Sequence, residues 1–115
     1  MNYRQPVSKA RSKLVLQSQP SELRNVARRV VADLGWEVEH AKGALLVYED
    51  ATRLHCHCSP LRAELKFKAA ENGETELVIT GTVAGWGPIA SQHVREQTDL
   101  LTRRLGLAAV NQQSS

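Results

Sequence analysis

The stretch Leu61-Arg62-Ala63-Glu64-Leu65-Lys66-Phe67-Lys68-Ala69, followed after a reversal by Glu76-Leu77-Val78-Ile79-Thr80-Gly81-Thr82-Val83, decides the fold class. Each segment alternates apolar and polar residues with a period of two, the pattern of a strand with one buried and one solvated face. One-sided strands belong to antiparallel sheets backed on a single side by another layer. Parity resolves the reversal between them. A two-residue Asn72-Gly73 loop would set Phe67 opposite Val78 and turn Lys66 and Lys68 toward the face of Leu77 and Ile79. A three-residue loop, Glu71-Asn72-Gly73, instead pairs Phe67 with Leu77, Leu65 with Ile79 and Leu61 with Val83, and leaves Gly73 at the left-handed position such loops require. The sequence therefore predicts the longer loop, with Lys68 across from Glu76 and with Arg62, Glu64, Lys66, Val78, Thr80 and Thr82 on the outer face.

Upstream, Trp36-Glu37-Val38-Glu39-His40 alternates in the same way, with Trp36 and Val38 facing in. Lys42-Gly43 turns the chain into Leu45-Leu46-Val47-Tyr48, and Glu49 to Thr52 reverses it again. In Leu54 to Cys58 the inward set is Leu54, Cys56 and Cys58, whereas from Leu61 to Ala69 it is the odd-numbered residues. A one-residue slip flips every side chain, so a β-bulge is expected at Ser59-Pro60 to absorb the extra residue. Near the front, Leu14-Val15-Leu16 within Lys13 to Gln17 reads as a first strand.

Two amphipathic helices flank this β-rich stretch. In Pro20 to Leu34 the residues Leu23, Val26, Ala27, Val30, Val31 and Leu34 form one stripe at helical spacing. Pro20 suits the first turn, Glu22 complements the positive helix end and Gly35 supplies a left-handed stop, with Arg24, Arg28 and Arg29 directed to solvent. In Pro88 to Leu105 the stripe is Ala90, Val94, Gln97, Leu101 and Leu105, flanked by Ile89 and Leu100, and Gly106 is expected to end the helix. The order strand–helix–four or five strands–helix predicts an α+β domain: a single curved antiparallel sheet, β-α-β(4)-α, with both helices on one face. Residues 1–11, with Arg4, Lys9 and Arg11, read as a flexible basic arm, 12–106 as the domain and 107–115 as a disordered tail.

The totals set bounds. At 115 residues the chain is one domain, and its 42% hydrophobic content supports a core. Aromatic residues make up 4%, which leaves few rings for stacking bases or sugars. The net charge of +3 and pI of about 9.1 are mildly basic. No run approaches the roughly 18 apolar residues of a membrane span, and Met1 to Pro6 does not read as a secretory signal. Cys56 and Cys58 are too few for a disulfide scaffold, so a reduced, cytoplasmic setting is expected.

The last strand, the Gly85-Trp86-Gly87-Pro88 break and the helix from Ile89 to Leu105 resemble the closing segment of helix-grip proteins, the START-like ligand-binding superfamily. That resemblance implies a final helix lying across the sheet and walling an apolar cavity. The β-α-β(4)-α order also resembles one repeat of the TATA-binding-protein fold, and Gly35-Trp36 ahead of a strand is similar to small bacterial lipoprotein-type domains. This chain has no lipid-attachment cysteine near its start, so the last likeness implies no anchor.

Residues with chemical potential are few. His55-Cys56-His57-Cys58 looks like a metal site, but on a strand the histidines face one side and the cysteines the other, so the four cannot close one tetrahedron. Buried small thiols and surface histidines are the plainer reading, with no metal and no cofactor expected. No nucleophile–base order, phosphate loop or spaced acidic pair is present, so no catalytic residue is assigned. Trp86, between two glycines at a strand–helix junction, is placed to line a cleft mouth or to lid the core. These residues point to a small non-enzymatic binding module whose helix–sheet cleft, lined by Trp36, Leu65, Phe67, Ile79, Trp86, Val94 and Leu101, takes a small apolar ligand or a protein partner. The alternative is a basic nucleic-acid-associated protein using Arg24, Arg28 and Arg29 or Arg62, Lys66 and Lys68. A homodimer built on the sheet edge or outer face is a third possibility.

Overall fold

The computed structural model describes residues 7–50, 60–85 and 87–113. The elements run β1 (Val7–Leu16), α1 (Pro20–Asp33), β2 (Glu37–Ala41), β3 (Ala44–Tyr48), β4 (Arg62–Ala69), β5 (Thr75–Ala84) and α2 (Pro88–Gln113). The five strands form one antiparallel sheet in the order β1-β5-β4-β3-β2. Both helices pack on the sheet: α1 against β2 and β4, α2 against β1 and β5, and each against the other. The α+β class and the β-α-β(4)-α order read from the sequence are those of the structure.

The β4–β5 register is the one parity requires. Phe67 faces Leu77, Leu65 faces Ile79 and Lys68 faces Glu76. The connection combines both sequence signals. Asn72 (φ 62°) and Gly73 (φ 75°) are both left-handed, as in a two-residue type I′ turn, and Glu71 is the extra residue that shifts the register. Two backbone bonds close it, Glu74 N–H to Glu71 O at 3.3 Å and Ala70 N–H to Glu74 O at 2.8 Å.

The stripe of α1 is buried as its spacing predicts, with Leu23, Val26, Ala27, Val30 and Val31 inside. Its C-terminus is a Schellman motif. Gly35 (φ 75°) donates to Ala32 O and Trp36 N–H to Val31 O, both at 3.0 Å. Arg24 departs from expectation: it is half-buried, its guanidinium 5.6 Å from the centre of the Phe67 ring, because a long side chain beside an exposed ring edge gains more by covering it than by extending into water.

Two boundaries differ from the sequence reading. The first strand begins at Val7, so residues 7–11, expected in a loose arm, pair with Ala84 to Thr80 of β5. Its inward residues Ser8, Ala10 and Ser12 are too small to advertise an apolar face. The second helix continues through Gly106 to Gln113, into the expected tail, and Ala109 is buried. Burial there outweighs the roughly 1 kcal/mol that an interior glycine costs a helix. On α2 the polar residue in the core is Thr98, at 1% exposure, while Ile89, expected beside the buried stripe, is 71% exposed. Ala69, at the last pair of β4, is exposed although its parity is inward. The expected strand at Leu54 to Cys58 and the bulge at Ser59 lie outside the described residues.

Candidate functional site

The sheet's inward face is built of cross-strand rows. Ser12, Ile79, Leu65, Leu45 and His40 form one, and Ala10, Gly81, Ala63, Val47 and Val38 the next. The middle of the second row is small, and α2 descends onto it: an ideal Cβ on Gly81 would lie 2.2 Å from Thr98 Oγ1. Helix and sheet are therefore in direct contact at the centre of the interface.

Leu65, Ile79, Val94 and Leu101, four of the residues expected to line the cleft, are each 0–1% exposed and packed together in one contiguous core cluster. Phe67 packs at the edge of that cluster under Arg24. Trp36 also packs against the cluster, half-buried, but at the opposite end of the sheet. Trp86 lies outside the described residues.

The end of the interface near Trp36 carries a polar pair that sequence reasoning missed. Carrying the β2–β3 and β3–β4 registers one residue beyond Glu37–Tyr48 and Tyr48–Arg62 aligns Trp36, Glu49 and Leu61. Glu49 N–H donates to Leu61 O at 3.0 Å, which confirms the alignment on the β4 side. Glu49 Oε1 accepts the Leu61 N–H at 3.0 Å and lies 2.7 Å from His93 Nε2 of α2. Both side chains are nearly enclosed, at 8% and 11% exposure. Below them Ser8 Oγ donates to Gly85 O at 3.0 Å, fixing the end of β5 to β1. Gly85 (φ 103°) and Gly87 (φ 106°) then take the chain into α2, and nothing lies within 4 Å of a Cβ built on Gly87. No sequence spacing links Glu49 to His93, 44 residues apart. Their meeting depends on where α2 crosses the sheet.

Chemically, this end offers a carboxylate–imidazole pair beside an indole. Among the described residues the side-chain partner of His93 is Glu49 Oε1, and no hydroxyl is hydrogen-bonded to it. Among the described residues no group of His, Cys, Asp or Glu is placed to hold a metal, and His55, Cys56, His57 and Cys58 lie outside them. Among the described residues no helix is long and apolar enough to cross a membrane.

Open clefts among the described residues lie elsewhere. One, of about 260 Å³, lies between α1 and the end of α2, lined by Val30, Asp33, Leu34, Arg104, Leu107 and Ala108. Another, of about 300 Å³, lies on the outer sheet face among Lys9, Leu46, Arg62, Glu64, Thr80 and Thr82.

No protein-family model and no curated protein matches the chain. Among solved structures it is similar to Ara h 8.0201, with a TM-score of 0.56 at 13% identity, over 90% of this chain and 98% of that one. It also aligns with TTHA0849 from Thermus thermophilus at a TM-score of 0.41 and 12% identity, over 90% of this chain and 92% of that one. The first likeness rests on the whole arrangement of sheet and crossing helix, and the fold of this chain is the helix-grip fold.

Proposed function

We propose that the protein is a small non-enzymatic binding module that takes a small apolar ligand, or an apolar segment of a protein partner, at the end of the helix–sheet interface. The observation that carries this reading is the enclosed Glu49–His93 pair in an otherwise apolar interface, at the end of the sheet toward which the β2–β3 register carries Trp36. Binding sites are mostly apolar, with a small number of placed polar groups that orient the ligand. In this reading Trp36 flanks the mouth, Trp86 is assigned to the site from its sequence position between Gly85 and Gly87, and Leu65, Ile79, Val94 and Leu101 form the packed core behind it, with Phe67 at the far end of the sheet. The direct contact of Thr98 with Gly81 limits how far a ligand penetrates, so the site is shallow and suits a short apolar group. The helix-grip fold supports the reading as a fold that accommodates a ligand between its last helix and its sheet.

The test is titration with Nile red, a neutral apolar dye that the basic outer face does not attract, followed by dye emission and tryptophan fluorescence. Saturable binding of one dye per chain, weakened several-fold or more by Trp36→Ala or Trp86→Ala, is expected. Absence of saturable binding, or binding indifferent to both tryptophans, would overturn the proposal.

A further inference from the structure

The outer face of the sheet holds a second feature, unconnected with the helix–sheet cleft. Because β1 begins at Val7, its outward residues Lys9, Arg11 and Lys13 form a basic column beside β5. On the other side of β5 stand Arg62, Lys66 and Lys68 of β4. Between the two columns run Thr82, Thr80 and Val78. The columns are two strand spacings apart, about 10 Å; cations recur along β1 at about 7 Å, while on β4 Glu64 stands between Arg62 and Lys66.

The carboxylates on these strands do not neutralise the face. Glu76 is 3.4 Å from Lys13 and Glu64 is 3.3 Å from Lys66. Lys9, Arg11, Arg62 and Lys68 have no carboxylate partner among the described residues, and the Arg62 guanidinium lies 5.8 Å from the centre of the Tyr48 ring. The cleft of about 300 Å³ opens between Lys9 and Arg62, and its half-buried floor hydroxyls, Thr80 and Thr82, have no protein partner among the described residues. Lys9 and Arg62 on opposite walls and free hydroxyls on the floor are the chemistry that receives phosphate oxygens, and the one carboxylate of the lining, Glu64, is paired with Lys66 at 3.3 Å.

A second copy of the chain is a poor occupant. Two β1 strands paired antiparallel with their outer faces aligned would bring Lys9, Arg11 and Lys13 against one another, like charges directly opposed. We infer that the trough over β5, between Lys9, Arg11 and Arg62, Lys68, binds the phosphodiester backbone of a single-stranded nucleic acid. The strand runs along the threonine column, its phosphates taken by the flanking cations, with no reading of base sequence. A duplex groove would call for an inserted helix, ribbon or protruding wedge, and the apolar residues between the two basic columns and in the cleft, Val78 and Leu46, are half-buried at the level of the sheet.

The test is fluorescence anisotropy with a labelled single-stranded oligonucleotide at two salt concentrations. With four phosphates engaged, the slope of log affinity against log salt is about −3, an affinity loss of about fifty-fold between about 50 and about 200 mM salt. Lys9→Gln with Arg62→Gln should roughly halve that slope. Arg103→Gln with Arg104→Gln, the same charge change on the exposed side of α2, should leave it close to that of the unmodified protein. Circular dichroism melting confirms that each variant is folded. The inference is overturned if no saturable binding occurs at the lower salt, if the α2 pair loses as much as the outer-face pair, if a mononucleotide competes as well as the oligonucleotide per phosphate, or if phosphatidylserine vesicles bind in its place. None of these variants touches Glu49, His93 or Trp36, so failure here is separable from failure of the cleft reading.

Discussion

Thr98 Oγ1 occupies the space that a side chain on Gly81 would need: an ideal Cβ there would be 2.2 Å from it. This contact brings the closing helix onto the centre of the sheet. It also leaves the Thr98 hydroxyl buried without a hydrogen-bond partner among the described residues.

Gly81→Ala is therefore expected to destabilise the domain by about 1–3 kcal/mol, the range for overpacking a close-packed interface. Thr98→Val removes the unsatisfied hydroxyl at nearly constant shape and is expected to stabilise by about 1 kcal/mol. In the double variant Gly81→Ala with Thr98→Ala, the new Cβ meets the Cβ at position 98 at an ordinary 3.5 Å and keeps only the 3.0 Å approach to Leu61 Cδ1, the end of a flexible side chain. Closed with the single variants Gly81→Ala and Thr98→Ala, the cycle should then show a favourable coupling of about 1 kcal/mol or more, measured by urea unfolding. Additivity of the two single changes would show that the helix shifts instead.

Glu49 should matter more than its partner. Its Oε1 serves both His93 Nε2 and Leu61 N–H, so Glu49→Ala strands two groups in a nearly enclosed site. A loss of about 2–3 kcal/mol is expected, with His93→Ala costing less because the Leu61 bond survives. Equal midpoints for the two variants in thermal melts would contradict this ordering.

Tyr48 donates to Glu39 Oε2 at 3.0 Å, and this hydrogen bond, aided by desolvation and the Glu39 charge, raises its hydroxyl above the ordinary 10.0. The folded protein holds the proton more tightly than the unfolded chain. The associated stability is thus fully present below pH 10 and is lost as pH rises through the folded-state value. Alkaline absorbance titration should show one tyrosine ionising late, and Glu39→Ala should bring it back toward the ordinary value.

The β4–β5 connection is sensitive at Gly73. A side chain in the left-handed region costs about 1–2 kcal/mol, so Gly73→Ala should lower the unfolding midpoint. Asn72→Gly should be nearly neutral, since Asn already tolerates that region and gains little by losing its Cβ. A large loss at Asn72 would point to a role for its side chain beyond the turn.

Whatever depends on local periodicity was legible in the chain. The α1 stripe, the Gly35 stop and the β4–β5 register follow from spacings of three, four and two residues that only one arrangement satisfies. Tertiary structure alone decided the rest. The start of β1 was hidden because small residues alternate with charges from Ser8 to Lys13, and those residues become a strand only when β5 and α2 cover them. Thr98 was hidden because a polar residue has no place in an apolar stripe until a glycine lies beneath it. Gly106 reads as a stop, yet the helix continues because Ala109 is buried beyond it. The Glu49–His93 pair and the double basic column share the same cause. Each joins residues distant in the chain, and their proximity is a property of the packed sheet and helix rather than of any local segment.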